Sequence, residues 1–292
     1  MDWAKDQDGW PNAQHSRFIA LKPHKWHVQE AGQGDTILLI HGAGGATQSW
    51  RGLFPLLAAR HHVVAVDLPG QGFTRMGARM RCGLKPVSED IARLCDDQGW
   101  APKLIIGHSA GGAIALQLTD ALKPDGVVLL NAALDTFQGV AGWLFPLFAK
   151  LMALNPAIPP LLAAFAGGPS RVADLLTSTG SRIGPDGIAL YRRLMTDSGH
   201  IDGTLAMMSQ WQIEPLLRCL ETITTPVRLI VGDDDGTVPP DVSQRAASRL
   251  PQGHLVRVPQ TGHLLHEEMP DRVAAEVETF LQSLAPTAHQ TA

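Results

Sequence analysis

The clearest indication of the fold of this 292-residue chain is LIIGHSAGG, residues 104–112. Three apolar residues lead into the pattern G-x-S-x-G, and a helical stretch over residues 113–122 follows it. Such a strand–turn–helix is a nucleophile elbow, in which strand and helix approach too closely for a Cβ atom at the glycine positions. The pattern predicts that Ser109 stands at the tip of the turn, at the carboxyl edge of a sheet.

Short apolar runs recur on both sides of this elbow. They have the β-branched composition of strands that are buried on both faces of a parallel sheet. Helix-length stretches separate some of them, and this alternation predicts an α/β fold. The predicted strands are residues 37–40, 63–66, 104–106, 127–130, 227–231 and 255–258. An apolar stripe from Val273 to Leu284, after Pro270, predicts a final amphipathic helix.

One long segment interrupts the alternation. It has no strand-like run, and we predict a helical cap, residues 135–211, inserted between two core parts, residues 1–134 and 212–292. Its helical patches are residues 140–149, 151–154, 161–166, 172–176 and 188–195. Lys150, Asn155 and three prolines interrupt the apolar start, so a membrane span is not predicted. Two interpretations stay open: a lid over an apolar pocket, or a patch that touches a membrane or a partner.

Charge and cysteine content exclude several classes. Lys and Arg number 24 against 28 Asp and Glu, a net charge of −4, whereas nucleic-acid binding needs a clustered basic surface. Cys82, Cys95 and Cys219 are too scattered for a disulfide framework or a thiolate zinc site. They favour a reducing, cytoplasmic location, and the acidic start MDWAKD is unlike a signal peptide. We predict no metal and no cofactor.

A serine hydroxyl needs a base to become a nucleophile. In chains with this elbow an acid and then a histidine follow the serine. The strand at 227–231 ends in three aspartates, residues 233–235, and the strand at 255–258 leads to His263. Both positions share the sheet edge of Ser109, which predicts a catalytic triad with His263 as general base and an aspartate as its partner. The residues alone leave open which aspartate it is, and whether His266 is a helix cap or a supporting group.

The glycine-rich loop HGAGG, residues 41–45, follows the strand at 37–40. At such elbows an oxyanion is held by the amide after the nucleophile, here Ala110, and by an amide from the loop after an early strand, for which we favour Ala43. The alternative, a phosphate-binding turn, needs G-x-G-x-x-G or a Walker lysine, and this loop has neither.

With these motifs the chain resembles the α/β-hydrolase superfamily over nearly its full length. The matching residues are HG 41–42, DLPG 67–70, GHSAG 107–111, the G-x-x-D pattern 232–235 and GH 262–263. In that family the acid is the last residue of G-x-x-D, so the resemblance implies Asp235. It also implies a mostly parallel central sheet flanked by helices.

A narrower resemblance spans both core and cap. The chain looks like the BchO-type magnesium-chelatase accessory proteins of bacteriochlorophyll biosynthesis in WPN 10–12, SRF 16–18, WHVQ 26–29, GSR 180–182, LY 190–191 and AMMSQW 206–211. It departs at Gln71, where relatives usually have His in a Pro-Gly-His-Gly turn. The resemblance implies a pathway and, as partners, a hydrophobic substrate such as a tetrapyrrole and the magnesium-chelatase subunits.

Two functions follow as hypotheses. The first is a serine hydrolase that acts on an ester-like hydrophobic substrate through Ser109. The second is a non-catalytic accessory protein that binds a porphyrin or assists the chelatase, since a fold alone never fixes a function. Dehalogenase and epoxide hydrolase mechanisms need a carboxylate nucleophile at the elbow, which Ser109 excludes.

Overall fold

The computed structural model describes residues 1–135, 155–168 and 170–284. Within them the central element is an eight-stranded sheet of order β1-β2-β4-β3-β5-β6-β7-β8. The pairs β1–β2 and β2–β4 are antiparallel, and all other neighbours run parallel. The strands are β1 Ser16–Leu21, β2 His24–Ala31, β3 Thr36–Ile40, β4 His62–Val66, β5 Pro102–His108, β6 Gly126–Leu130, β7 Val227–Gly232 and β8 Gly253–Val258.

Helices cover both faces of this sheet, and its strand order with the antiparallel β2 is that of the α/β-hydrolase fold that the resemblance implies. The helices of the described residues are α1 Trp3–Asp6, α2 Leu53–Ala58, α3 Leu84–Gln98, α4 Ala110–Gln117, α5 Thr119–Leu122, α6 Ile158–Ala166, α7 Arg171–Ser178, α8 Pro185–Met195, α9 Ser198–Ser209, α10 Glu214–Arg218, α11 Pro240–Arg249, α12 Leu265–Glu268 and α13 Pro270–Leu284. Along β3, Leu38 and Ile40 join the core with α3 and α4, whereas Ile37 and Leu39 join the core with α2 and α13. Burial on both faces is why the central parallel strands β3, β4, β5 and β6 are almost continuously apolar.

All six predicted strands and the final helix are confirmed. The hairpin of β1 and β2 was not predicted, because its sequence mixes polar and apolar residues without a clear period. Two of its polar side chains are nevertheless fully buried, and each has a hydrogen-bond partner outside the hairpin. His27 Nδ1 lies 2.7 Å from Asp67 Oδ2, and Gln29 Nε2 donates to the carbonyl of Pro11 at 2.7 Å.

The described helices between β6 and β7 agree in part with the predicted patches. The patches at 161–166, 172–176 and 188–195 lie in α6, α7 and α8, while those at 140–149 and 151–154 lie outside the described residues. Helix α9 was not predicted, because two glycines weaken its helical pattern. Gly203 is needed there, since a Cβ atom on it would lie 2.1 Å from the carbonyl oxygen of Gly70. The division of the chain at residues 135 and 211 stays a prediction.

No helix of the described residues combines the length and the hydropathy that a bilayer crossing requires.

The elbow glycines make a stability prediction. A Cβ atom on Gly111 would lie 2.1 Å from the carbonyl oxygen of Ile40 and 2.6 Å from that of His41, both in backbone that cannot yield easily. We expect Gly111→Ala to lower the free energy of unfolding by about 1–3 kcal/mol or more, measured by urea denaturation. Gly184→Ala is the matched control, because nothing lies within 4 Å of its Cβ position. Equal urea midpoints for the two variants would contradict the prediction.

Candidate active site

Ser109 lies between β5 and α4 in a strained backbone conformation. Its φ of 51° and ψ of −117° place a non-glycine residue in a region that costs on the order of 1–3 kcal/mol. Three hydrogen bonds hold it there: its amide donates to Leu130, and its carbonyl accepts from Gly112 and Ala133, each at 3.0 Å. The elbow is therefore built as the sequence predicts, with Ser109 at its tip.

Asp235 and His263 come together from the loops after β7 and β8. Asp235 Oδ2 lies 2.8 Å from His263 Nδ1, and both residues are buried. The other carboxylate oxygen accepts from the backbone amides of Thr237 and Val238, each at 2.8 Å. The carboxylate is thus fixed on both sides, and it favours the imidazole tautomer that carries its proton on Nδ1. His263 Nε2 is then left as a hydrogen-bond acceptor.

The two neighbouring aspartates lie elsewhere. Asp233 pairs with Arg257 at 2.6 Å, and Asp234 is exposed. Of the three carboxylates that the sequence left open, the structure brings only that of Asp235 to His263.

A large cavity lies over this edge of the sheet, between the core and helices α6 to α9. Its volume is about 1170 Å³, and Ser109, His263, Ala43 and Ala110 all line it. Apolar side chains from the helices between β6 and β7 form much of its wall, including Leu162, Phe165, Leu176, Ile201, Leu205 and Met208. This favours the lid interpretation of the cap.

The Ser109 hydroxyl makes no hydrogen bond to any described residue, His263 included. In unliganded active sites the bond between nucleophile and base is often long, and it tightens when substrate binds. The structure therefore brings Ser109 and His263 to one cavity wall without joining them by a hydrogen bond.

Two backbone amides beside Ser109 have no acceptor among the described residues. They belong to Ala43 and Ala110, the residues that the sequence favours for an oxyanion hole. The next amide along the loop, that of Gly44, is already committed, since it donates to Gln71 Oε1 at 2.7 Å. Two free amides at the mouth of a nucleophile elbow can stabilise a developing negative charge.

Comparison with known proteins identifies the family. Residues 37–276 match the alpha/beta hydrolase family. The chain belongs to this family. A relative, the magnesium-chelatase 30 kDa subunit of Rhodobacter capsulatus, is 42% identical over 275 residues, which cover 94% of this chain and 96% of the relative. This confirms the narrower resemblance as well.

Solved structures agree on the fold of this α/β hydrolase. A thermophilic esterase from Thermogutta terrifontis superposes with a TM-score of 0.75 at 20% identity, covering 93% of this chain and 99% of the esterase. An alpha/beta hydrolase fold protein from Burkholderia ambifaria gives a TM-score of 0.71 at 25% identity, covering 89% and 96% of the two chains.

Buried polar side chains hold the His263 loop of this α/β hydrolase in place. The carbonyl of His263 accepts from Asn131 Nδ2 at 2.6 Å and from the His108 Nε2 atom at 3.0 Å. Burial lowers the pKa of His108 well below its ordinary value, so the ring is neutral at pH 7. The sequence placed His108 only inside the elbow motif, and nothing local indicated that it supports the loop that carries His263.

His266 belongs to a second buried network, at one side of the cavity. Its Nε2 atom lies 2.8 Å from Ser49 Oγ, and Ser49 donates to Glu267 Oε1 at 2.7 Å. The Tyr191 hydroxyl donates to the same carboxylate oxygen at 2.6 Å, and Arg51 pairs with the other. Burial raises the pKa of Glu267, although these partners oppose the shift. His266 is therefore a buried supporting group, the second of the two roles left open.

Metal-ligating side chains do not cluster in the described part of the chain: no group of three or more His, Cys, Asp or Glu residues there is arranged to hold an ion.

Buried neutral histidines predict acid sensitivity. Burial lowers the pKa of His200 to about 4 and that of His266 to about 3. Because both values lie below the ordinary 6.5, the unfolded chain takes up protons that the folded protein excludes as the pH falls below 6.5. We expect the free energy of unfolding to drop between pH 7 and pH 5, by on the order of 2 kcal/mol for each imidazole. Urea denaturation across this range measures the drop.

The control for this prediction is the exposed His254. His266→Asn should make the dependence on pH shallower, whereas His254→Asn should leave it as in the wild type. A free energy of unfolding that stays constant from pH 7 to pH 5 would contradict the prediction.

Proposed function

We propose that this protein is a serine hydrolase that cleaves an ester or thioester of a hydrophobic substrate, with Ser109, His263 and Asp235 as its catalytic residues. The observation that carries the proposal is the hydrogen bond between Asp235 and His263 at the wall of the cavity that Ser109 also lines. An oriented imidazole, a serine in a strained elbow and two free amides are the parts that acyl transfer requires.

The first half of the reaction forms an acyl-enzyme. His263 Nε2 takes the proton from Ser109 Oγ while that oxygen attacks the acyl carbon. The carbonyl oxygen becomes an oxyanion, which accepts hydrogen bonds from the amides of Ala43 and Ala110. His263 then gives its proton to the leaving alcohol or thiol, and the bond between the acyl carbon and that group breaks.

The second half releases the acid. His263 takes a proton from water as the water oxygen attacks the acyl carbon, and it returns the proton to Ser109 Oγ when that oxygen leaves. Asp235 stabilises the imidazolium that exists during each half, and its fixed carboxylate keeps the ring in one orientation.

The cavity supports a bulky apolar substrate. Its volume of about 1170 Å³ exceeds the roughly 300–1,000 Å³ of common small-molecule sites. A relative at 42% identity is named for magnesium chelatase, so we propose a tetrapyrrole ester as the substrate, chelatase subunits as partners and the cytoplasm as the location.

An ester series tests the proposed chemistry. We expect the protein to hydrolyse p-nitrophenyl esters, with kcat/KM rising from acetate to butyrate to larger aromatic acyl groups as more of the apolar wall is used. The rate of nitrophenol release, followed by its absorbance, measures kcat/KM. Failure of the folded protein to turn over any ester would contradict the proposal.

The second candidate function is a non-catalytic accessory role. The name of the Rhodobacter relative and the size of the cavity favour it. Complementation of a deletion strain by Ser109→Ala separates the two functions. We expect the variant to fold and yet fail to restore pigment, whereas full restoration would favour a binding role over chemistry.

A further inference from the structure

Helix α9, which lies in the segment between β6 and β7, contacts the loop that carries Ala43. The contact is made by His200, which is only 2% exposed. Its Nε2 atom lies 3.1 Å from the carbonyl oxygen of Gly44, and its Nδ1 atom accepts from the amide of Gly72 at 3.0 Å. One imidazole thus bridges two loops beside the nucleophile elbow.

The bridge fixes the protonation of His200. A carbonyl oxygen can only accept and a backbone amide can only donate, so the ring must carry its single proton on Nε2. Burial lowers the pKa of His200 to about 4, which keeps the ring neutral. The hydrogen bond to the Gly44 carbonyl is therefore made by an imidazole with one permitted orientation.

Gln71 holds the other side of the same residue. Its Oε1 atom accepts from the Gly44 amide at 2.7 Å, and its Nε2 atom donates to Met207 Sδ on α9 at 3.1 Å. Both backbone groups of Gly44 are therefore hydrogen-bonded. Its amide donates to Gln71, which contacts α9, and its carbonyl accepts from His200, which belongs to α9. Gln71 stands at the position where relatives usually have a histidine.

Helix α9 packs closely against the loop that contains Gly70. The backbone of Gly203 on α9 meets Gly70, since a Cβ atom on either residue would come within 2.8 Å of the other's backbone. The helix therefore has little freedom to slide along the loop, and its position sets that of His200.

We propose that His200 is a positioning residue that holds the Ala43 amide in place for the oxyanion, an inference that rests on the proposed hydrolysis. Ala43 stands between Gly42 and Gly44, and Gly44 has a φ of +78°. A loop of this composition has many accessible backbone conformations, so its amide needs an external restraint. Because the oxyanion exists only after attack, a misdirected amide should lower kcat and leave KM nearly unchanged.

Three variants test this with p-nitrophenyl butyrate as the substrate. His200→Phe keeps a ring of similar size and loses both hydrogen bonds, and we expect kcat to fall by about 30-fold to 100-fold, with KM within about twofold. In His200→Gln the side-chain amide reaches toward the former Nε2 position and can donate to Gly44. We expect the kcat of His200→Gln to be at least about fivefold higher than that of His200→Phe.

Gln210→Ala is the matched control. Gln210 follows α9 directly and also ties it to the core, since its Nε2 atom donates to the carbonyl of Arg79 at 2.8 Å, away from Ala43. We expect its kcat within about twofold of the wild type. Thermal unfolding of each variant sets an assay temperature at which all are folded.

The outcomes separate the inference from the proposed function. A wild type that turns over the ester while His200→Phe matches its kcat would overturn the positioning role alone. Equal losses of kcat in His200→Phe and Gln210→Ala, or a loss that appears only in KM, would also overturn it, because either shows general loosening of α9. A folded wild type without turnover would overturn the proposed function, and the positioning role with it.

Discussion

Ser109→Ala is expected to lower kcat for p-nitrophenyl butyrate by about 10⁴-fold or more, because it removes the proposed nucleophile and leaves only substrate binding and the amides proposed to hold the oxyanion. KM and the midpoint of thermal unfolding should stay close to those of the wild type. The elbow is held by backbone hydrogen bonds and by close glycine contacts, none of which uses the serine hydroxyl. Steady-state kinetics together with circular dichroism measure both properties.

Ser248→Ala is the control for this experiment. Its hydroxyl donates to the carbonyl of Arg245 in α11, on the outside of the molecule. We expect no change in kcat beyond about twofold. A kcat for folded Ser109→Ala within about tenfold of the wild type would show that another group performs the reaction, and it would contradict the assigned nucleophile.

Asp235→Asn is expected to lower kcat by about 10⁴-fold while the fold is kept. The structure explains why the substitution should be so damaging. The Oδ1 atom of Asp235 accepts from the amides of Thr237 and Val238, so the oxygen of an asparagine would keep that place and its NH₂ group would face His263 Nδ1. The imidazole would then carry its proton on Nε2, where it cannot accept the proton of Ser109.

Asp234→Asn is the matched control, since it makes the same chemical change one residue away on an exposed side chain. We expect its kcat within about twofold of the wild type. Equal kcat values for Asp235→Asn and Asp234→Asn would remove Asp235 from the mechanism. Stopped-flow or steady-state release of nitrophenol gives both values.

The fold was predictable where its cause is local. The elbow stretch at 104–112 and the apolar parallel strands carry their signals within a few residues, because burial on both faces demands a continuous apolar run. The β1–β2 hairpin has no such signal. Its buried His27 pairs through Nδ1 with Asp67, and its buried Gln29 donates through Nε2 to Pro11, partners that the sequence does not place beside them.

The candidate site was likewise predictable only where its signals are local in the sequence. Ser109, His263 and the run of aspartates could be predicted, because each follows a strand that ends at one edge of the sheet. The buried network could not, since Ser49 meets Tyr191 and Glu267 across more than 140 residues of chain. The contact of His200 with Gly44 spans 156 residues, and only the packing of α9 reveals it.

Covalent labelling with a fluorophosphonate shows whether Ser109 is an activated nucleophile, and it needs no knowledge of the natural substrate. We expect one adduct per chain, located by peptide mass spectrometry on Ser109, and none in Ser109→Ala. A folded wild-type protein that stays unlabelled, or an adduct that forms equally in Ser109→Ala, would contradict it.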